Sequence, residues 1–247
     1  AGIILRPSHI ALLASMNAPL IEVVKKPVVA LISTGDELVM PGETPKSDQI
    51  VASNTYGLAA LLENNGAEAR VFPIAKDNFG SLQSVFNLAK DSDLIVTIGG
   101  ASVGDHDLVA AVCAEMGMQQ SFYKVAMRPG KPLMAGKINN RPMVGLPGNP
   151  VSAMVCGYVF LVPMIAKMLG LSEVLPKTYE TVLLNDLKPN LARAHYCRAV
   201  LSPEGIRVTE RQDSSLLSVF ADSNALAIRE PNAPAAKAGE VIKYIHL

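Results

Sequence analysis

Three short segments gather glycine, proline and carboxylates in a pattern suited to phosphate chemistry. They are Ser33-Thr34-Gly35-Asp36-Glu37, the run Gly99-Gly100-Ala101-Ser102-Val103-Gly104-Asp105-His106-Asp107, and Gly145-Leu146-Pro147-Gly148-Asn149-Pro150. Small residues let backbone N–H groups approach an anion closely, and helix starts after Asp107 and Pro150 add partial positive charge. Each loop alone is equally served by a tight turn between strand and helix, with Asp107 as a plain N-cap. The acids shift that balance. Asp36, Glu37, Asp105 and Asp107, with Asp77 further along, would repel one another beside a phosphate unless a divalent cation lay between them. Mg²⁺ is the expected cation, because it takes oxygen ligands from one or two carboxylates together with phosphate.

A basic stretch follows. Lys124, Arg128 and Lys131 reach from a short strand into a Pro129-Gly130 turn, and they read either as a solvated loop or as cations facing the acidic loops across an oxyanion. Two familiar nucleotide sites are excluded by spacing: a GxGxxG fingerprint laid on Gly99 to Gly104 fails at Ala101, and no GxxxxGK[ST] occurs. His106 lies inside the acidic loop but reads more readily as a bystander than as a ligand. Cys113, Cys156 and Cys197 form no CxxC pair, have no base beside them in sequence, and are assigned no chemistry.

Elements able to position these loops are legible upstream of each. Val28 to Ile32 and Leu94 to Ile98 are continuous apolar runs of strand length, as strands covered on both faces require. A strand is expected at Arg70 to Ile74, with short ones at Ser121 to Ala126, Leu133 to Lys137 and Pro142 to Leu146. Helices are expected from Ser53 or Asn54 to Gly66, near Leu82 to Ala89, from Leu108 to Met116, and from Pro150 to near Gly170. Strands alternating with helices predict an α/β fold around a mostly parallel sheet, with ligands beyond the carboxyl ends of the strands. The three loops should then share one edge. Beyond Pro176 short β-type segments recur at Tyr179 to Leu184, His195 to Leu201, Ile206 to Thr209, Ala225 to Arg229 and Glu240 to His246, with no helical stripe. That texture predicts a small all-β domain.

Composition narrows the partners. The 247 residues are 49% hydrophobic and 18% charged, so a globular core is expected rather than disorder. Lys and Arg number 22 and Asp and Glu number 22, which gives no field to draw nucleic acid or an anionic membrane. Pro142 to Ala166 carries no formal charge, but its prolines and Gly148 read as a strand, a turn and a buried helix rather than a bilayer span. The opening residues show no signal-peptide pattern, and the cysteine usage fits a reducing cytoplasm.

In STGDEL (Ser33 to Leu38), GGASVGDHD (Gly99 to Asp107), RPGKPL (Arg128 to Leu133) and GLPGNPVSA (Gly145 to Ala153), in that order, the sequence resembles the MoeA family of molybdopterin molybdenumtransferases, to which the C-terminal region of gephyrin also belongs. The resemblance runs over nearly the whole chain. It implies a lead-in segment over 1–24, a MogA-like three-layer molybdopterin-binding domain over 25–172, and a C-terminal β-barrel domain over 176–247. It implies insertion of molybdate into adenylylated molybdopterin with release of AMP, assisted by Mg²⁺. Among functional residues it implies Glu37, Asp77, Asp107 and Lys131 as catalytic, with Glu37, Asp105 and Asp107 on the metal. Thr34, Gly35, Asp36, Gly99, Gly100, Ser102, Gly104, Arg128, Pro147, Gly148, Asn149 and Pro150 would contact the cofactor-like substrate. A cytoplasmic homodimer is implied, with a MogA-like adenylyltransferase as a further partner.

Family members carry further N-terminal domains, so the chain is expected to be a fragment that binds ligand but turns over poorly alone. Two other readings compete. A MogA-like adenylyltransferase shares the α/β core, but carries a GGTG-like loop where this chain has GGASVG. A dimeric, non-enzymatic scaffold as in gephyrin is weakened by the low aromatic content, 5% with no Trp.

Overall fold

β1 (Val28–Ser33) is buried along its entire length, and its side chains serve two separate cores. Val29 and Leu31 join one apolar cluster while Ala30 and Ile32 join another on the opposite face. Successive side chains of a strand point to opposite faces, so an all-apolar run is what a sheet sandwiched between helices demands. β5 (Leu94–Ile98) divides in the same way. The computed structural model describes residues 2–100 and 108–247.

The lead-in helix α1 (Pro7–Ser15) buries none of its residues. After β1 come the two-residue strands β2 (Leu38–Val39) and β3 (Ile50–Val51), then α2 (Asn54–Asn64), β4 (Glu68–Val71) and α3 (Phe79–Leu88), followed by β5 and α4 (Leu108–Glu115). Next come β6 (Gln119–Lys124), β7 (Met127–Arg128), β8 (Pro132–Ile138) and β9 (Arg141–Leu146). The first large sheet runs β4-β1-β5-β9-β8-β6, parallel from β4 to β9 and antiparallel beyond. Leu58, Leu61 and Leu62 of α2 cover one face, and Leu82, Val85 and Phe86 of α3 with Val109 and Val112 of α4 cover the other. The architecture is three layers, helix, sheet and helix.

α5 (Pro150–Cys156) continues through a wide turn, Gly157–Leu161, into α6 (Val162–Met168). Gly157 sits there because a Cβ would lie 2.7 Å from a Leu58 methyl and 2.9 Å from one of Leu61. This helical run is apolar and long enough to cross a membrane, but Val151, Val155, Leu161 and Ile165 are spent on the protein core.

The second sheet contains β10 (Tyr179–Val182), β11 (Ala194–Ser202), β12 (Gly205–Val208), β13 (Ala225–Arg229) and β14 (Val241–His246), in the order β10-β14-β13-β11-β12. A parallel bridge from Leu183 to Ile206 curls its two edges together into a barrel. Two expectations fail here. One helical turn, α7 (Leu217–Ala221), lies within the β region, held by Phe220, which is buried in the core cluster of the first layer. The strand expected from Ser121 to Ala126 ends at Lys124, and Met127 and Arg128 pair with β11 instead. Phe220, Leu226 and Ile245 share one core with Leu146 and Val151, so the two sheets are joined by apolar burial as well as by chain.

Candidate functional site

The carboxyl ends of β1, β5 and β9 lie side by side because the three strands are consecutive in the sheet. Cross-links fasten their tips: Thr34 N–H donates to Ile98 O at 3.0 Å and Gly99 N–H to Leu146 O at 3.1 Å. Above them opens a cleft of about 1000 Å³. Thr34, Gly35 and Glu37 line it from the first loop, Asp77 from the segment after β4, Gly99 and Gly100 from the second loop, and Pro147 to Pro150 from the third.

Glycine is required on this floor. Gly99 and Gly100 have φ of +94° and +67°, and a Cβ would stand 2.5 Å from Thr34 O at the first and 2.3 Å from Val109 Cγ2 at the second. Gly100→Ala combines left-handed strain with a clash against the start of α4. It is expected to destabilise the protein by roughly 2 kcal/mol or more, read as a lower melting temperature. An unchanged melting temperature would show that the loop moves aside freely.

The polar character of the walls is divided. Asp36 and Asp77 meet where Asp77 N–H donates to Asp36 Oδ1 at 3.1 Å. Partial desolvation, then the charges of Asp36 and Glu37, raise the Asp77 carboxyl above its ordinary pKa. Three helices begin at the same cleft: Asn54 opens α2, Leu108 opens α4 and Pro150 opens α5. Their N-termini supply the positive counterpart to the acidic wall. Thr34 Oγ1, within a residue only 3% exposed, has no hydrogen-bond partner among the described residues. A buried hydroxyl left unpaired at a cleft floor is available to a ligand oxygen.

Several expected residues fall elsewhere. Asp36, Lys131 and Arg128 are not among those lining the cleft, although Pro132 next to Lys131 is, and Asp36 reaches the lining only by accepting the Asp77 N–H. Lys131 is exposed beside the rim, and Arg128 is in β7 against the second sheet. Ser102, Gly104, Asp105, His106 and Asp107 lie outside the described residues. Among the described residues no three His, Cys, Asp or Glu side chains form a metal-holding group.

Other residues join without forewarning from the sequence. Asn54 Nδ2 donates to Gly148 O at 2.7 Å and fixes the third loop to the start of α2. Ser215 enters the cleft from the β region. The carbonyl of its neighbour Ser214 accepts the Val151 N–H at 3.1 Å, so the segment between β12 and α7 caps α5. Arg198 holds that segment: it is 2% exposed and donates to Asp213 O at 2.7 Å and Arg211 O at 3.2 Å. A charge in the middle of the apolar run His195 to Leu201 was the available signal.

A three-layer fold with an anion-suited cleft at its strand tips defines a ligand-binding α/β domain joined to a β barrel. Residues 30–167 match the family described as "Probable molybdopterin binding domain", and residues 180–247 match "MoeA C-terminal region (domain IV)". The chain belongs to this molybdopterin-binding domain family. It is similar to molybdopterin molybdenumtransferase of Haemophilus influenzae, 34% identical over 98% of this chain and 61% of that protein. The enzyme of the same name from Nostoc sp. is 40% identical over 68% of this chain and 40% of its own length. The structure superposes on a molybdopterin biosynthesis MoeA protein from a Pyrococcus species with a TM-score of 0.87 at 27% identity, covering 99% of this chain and 60% of that one. The chain thus spans about three fifths, or less, of the length of these three relatives.

Proposed function

We propose that this chain forms the ligand-binding part of a molybdopterin molybdenumtransferase, which inserts molybdate into adenylylated molybdopterin with release of AMP. The observation that carries this reading is the cleft, where Glu37 and Asp77, the latter bonded to Asp36 behind it, share the lining with three helix N-termini and a glycine floor. Backbone N–H groups there suit the phosphates of the adenylylated substrate, and Thr34 Oγ1 can donate to one of their oxygens. Ser215 and the rigid turn from Pro147 to Pro150 bound the same space. The region 25–172 would act as the binding domain and 176–247 as a barrel closing it. A cytoplasmic homodimer served by a MogA-like adenylyltransferase is the proposed setting.

Mg²⁺ fits the donor set in kind, since the Asp77 carboxyl, raised in pKa by partial burial and then by the charges of Asp36 and Glu37, gains from a hard cation. Glu37 and Asp77, with Asp105 and Asp107, would hold it. When bound it would neutralise charge on the phosphoanhydride. The chain's own residues orient the substrate: the floor glycines admit it, Thr34 donates, and the acids place molybdate or water near the departing AMP. Adding Mg²⁺ should lower the Asp77 carboxyl pKa back toward the ordinary carboxylate range, read by carboxyl NMR titration. An unmoved Asp77 would remove it from the metal site.

The direct test supplies adenylylated molybdopterin, molybdate and Mg²⁺ to the chain joined to the N-terminal domains expected of its family, and follows AMP. Molybdate-dependent AMP release is expected. Consumption of ATP with free molybdopterin in its place would overturn the assignment in favour of adenylyl transfer.

A further inference from the structure

The cleft has an apolar side for which phosphate has no use. Leu38 of β2 and Ile50 of β3 are register partners, so their side chains project from one face of the two-stranded sheet, and both line the cleft. Ile50 is 59% exposed, and neither residue belongs to any of the three core clusters. β3 leads directly to α2, and Ser53 and Asn54 at that junction line the same space. The Ser53 hydroxyl makes no cap bond. The Asn54 amide is held in one sense: Nδ2 donates to Gly148 O at 2.7 Å, which commits the nitrogen end to the third loop, while Oδ1 accepts no bond among the described residues. Gly148 in turn abuts the glycine floor, since a Cβ on it would stand 3.5 Å from Gly99 Cα. Beside the anion-suited floor the chain therefore sets a flat apolar patch, an acceptor of fixed sense, and a hydroxyl that adapts by rotation.

We propose that Leu38, Ile50, Ser53 and Asn54 form the base subsite for the adenine of the adenylylated substrate, with Asn54 selecting adenine over a 6-oxopurine. This rests on the substrate class argued above and adds where its base lies and what reads it. Adenine carries an exocyclic amine beside a ring acceptor. The amine donates to Asn54 Oδ1, the Ser53 hydroxyl donates to the ring nitrogen, and the face of the ring covers Leu38 and Ile50. A 6-oxopurine puts a carbonyl oxygen where the amine was, so that acceptor meets acceptor and Asn54 Oδ1 stays unpaired. Sites built to hydrogen-bond one group reject the analogue that lacks it, because their own polar atoms are then left without partners. The bond to Gly148 O makes this selection firm, because it keeps the amide from turning its nitrogen to the ligand.

AMP, IMP and inorganic pyrophosphate are titrated into the chain by calorimetry in the presence of Mg²⁺. AMP is expected to bind at least about tenfold more tightly than IMP, the scale of one hydrogen bond. Asn54→Ala removes the selecting oxygen and should bring the ratio of the two affinities close to one. The tie to Gly148 goes with it, so both affinities fall together if Asn54 is merely structural, and only a selecting residue changes their ratio. Ile50→Ser, at an exposed position, should weaken AMP and IMP by the same factor, at least about threefold, and leave pyrophosphate unchanged. Equal affinities for AMP and IMP in the parent chain, or a preference for AMP that survives Asn54→Ala, overturn the base subsite, and pyrophosphate binding in either case leaves the cleft reading intact. Binding by none of the three overturns the subsite and the cleft reading together.

Discussion

In the chain joined to the N-terminal domains expected of its family, Glu37→Gln is expected to reduce the proposed molybdate-dependent AMP release by at least about a hundredfold, the scale seen when one well-placed electrostatic contact is removed from a transition state. The side chain is exposed and makes no core contact, so the melting temperature should stay within about 2 °C of the parent. Its placement depends on the residue two positions earlier. Gly35 has φ of +149°, and a Cβ there would stand 2.5 Å from Glu37 Oε2, so only glycine lets the carboxylate fold back over the loop. Gly35→Ala should therefore reproduce part of the loss by displacing an intact Glu37. Asp77→Asn tests the same wall from its other side, because it removes the carboxyl that Asp36 and Glu37 repel. Full activity in Glu37→Gln would remove this acid from the chemistry. A large fall in melting temperature would make it structural.

The elements that could be read from sequence are those whose local pattern and final burial agree. Leu94 to Ile98 is a strand at the expected residues because four apolar side chains and the small, β-branched Thr97 have no stable place except between two helical layers. The helix after Ser53 ends as expected because Gly66 takes φ of +90°, a conformation that glycine adopts without strain. β4 begins two residues before the expected Arg70, at an exposed edge where alternation is weak. β7 could not be read, since a two-residue pairing with β11 is decided by how the two sheets meet. α7 escaped for a similar reason: it is one turn long and is held by Phe220 alone reaching another layer.

The candidate site divides along the same line. The STGDE, Gly99-Gly100 and LPGNP loops announce themselves because each carries its chemistry in adjacent residues, and the parallel strand order then brings the tips together. Asn54 and Ser215 are single polar residues at ordinary helix and loop positions, and only tertiary structure delivers them to the cleft. Lys131 and Arg128 show the converse. Their motif spacing suggests a shared role, yet the chain reverses between them, leaving one beside the rim and the other on the barrel. Sequence proximity carries a side chain to a loop, and the backbone path through the turn decides which surface it faces.

That dependence of the cleft on the barrel makes Arg198 the residue with the largest expected structural effect. Arg198→Ala would remove the donor to the carbonyls of Asp213 and Arg211, and would leave a void where one of the largest fully buried side chains had been. Hydrogen bonds from a charged donor contribute about 1.5–3 kcal/mol each and the lost buried side chain adds to this, so a loss of roughly 3–5 kcal/mol is expected, lowering the melting temperature by roughly 10 °C. Burial already lowers the guanidinium pKa, and its Nε has no partner among the described residues, so the charge itself is held at a cost. Arg198→Met separates the two contributions. It restores apolar volume and removes the desolvated charge, so it should recover part of the stability while leaving both carbonyls unpaired. Amide exchange across residues 211–215 should then quicken in both variants, and affinity for the adenylylated substrate should fall because Ser215 loses its fixed position and Ser214 no longer caps α5. Both variants melting within 2 °C of the parent would show that the segment holds itself. Restored stability in Arg198→Met with restored exchange protection would show that volume, and not hydrogen bonding, ties the barrel to the cleft.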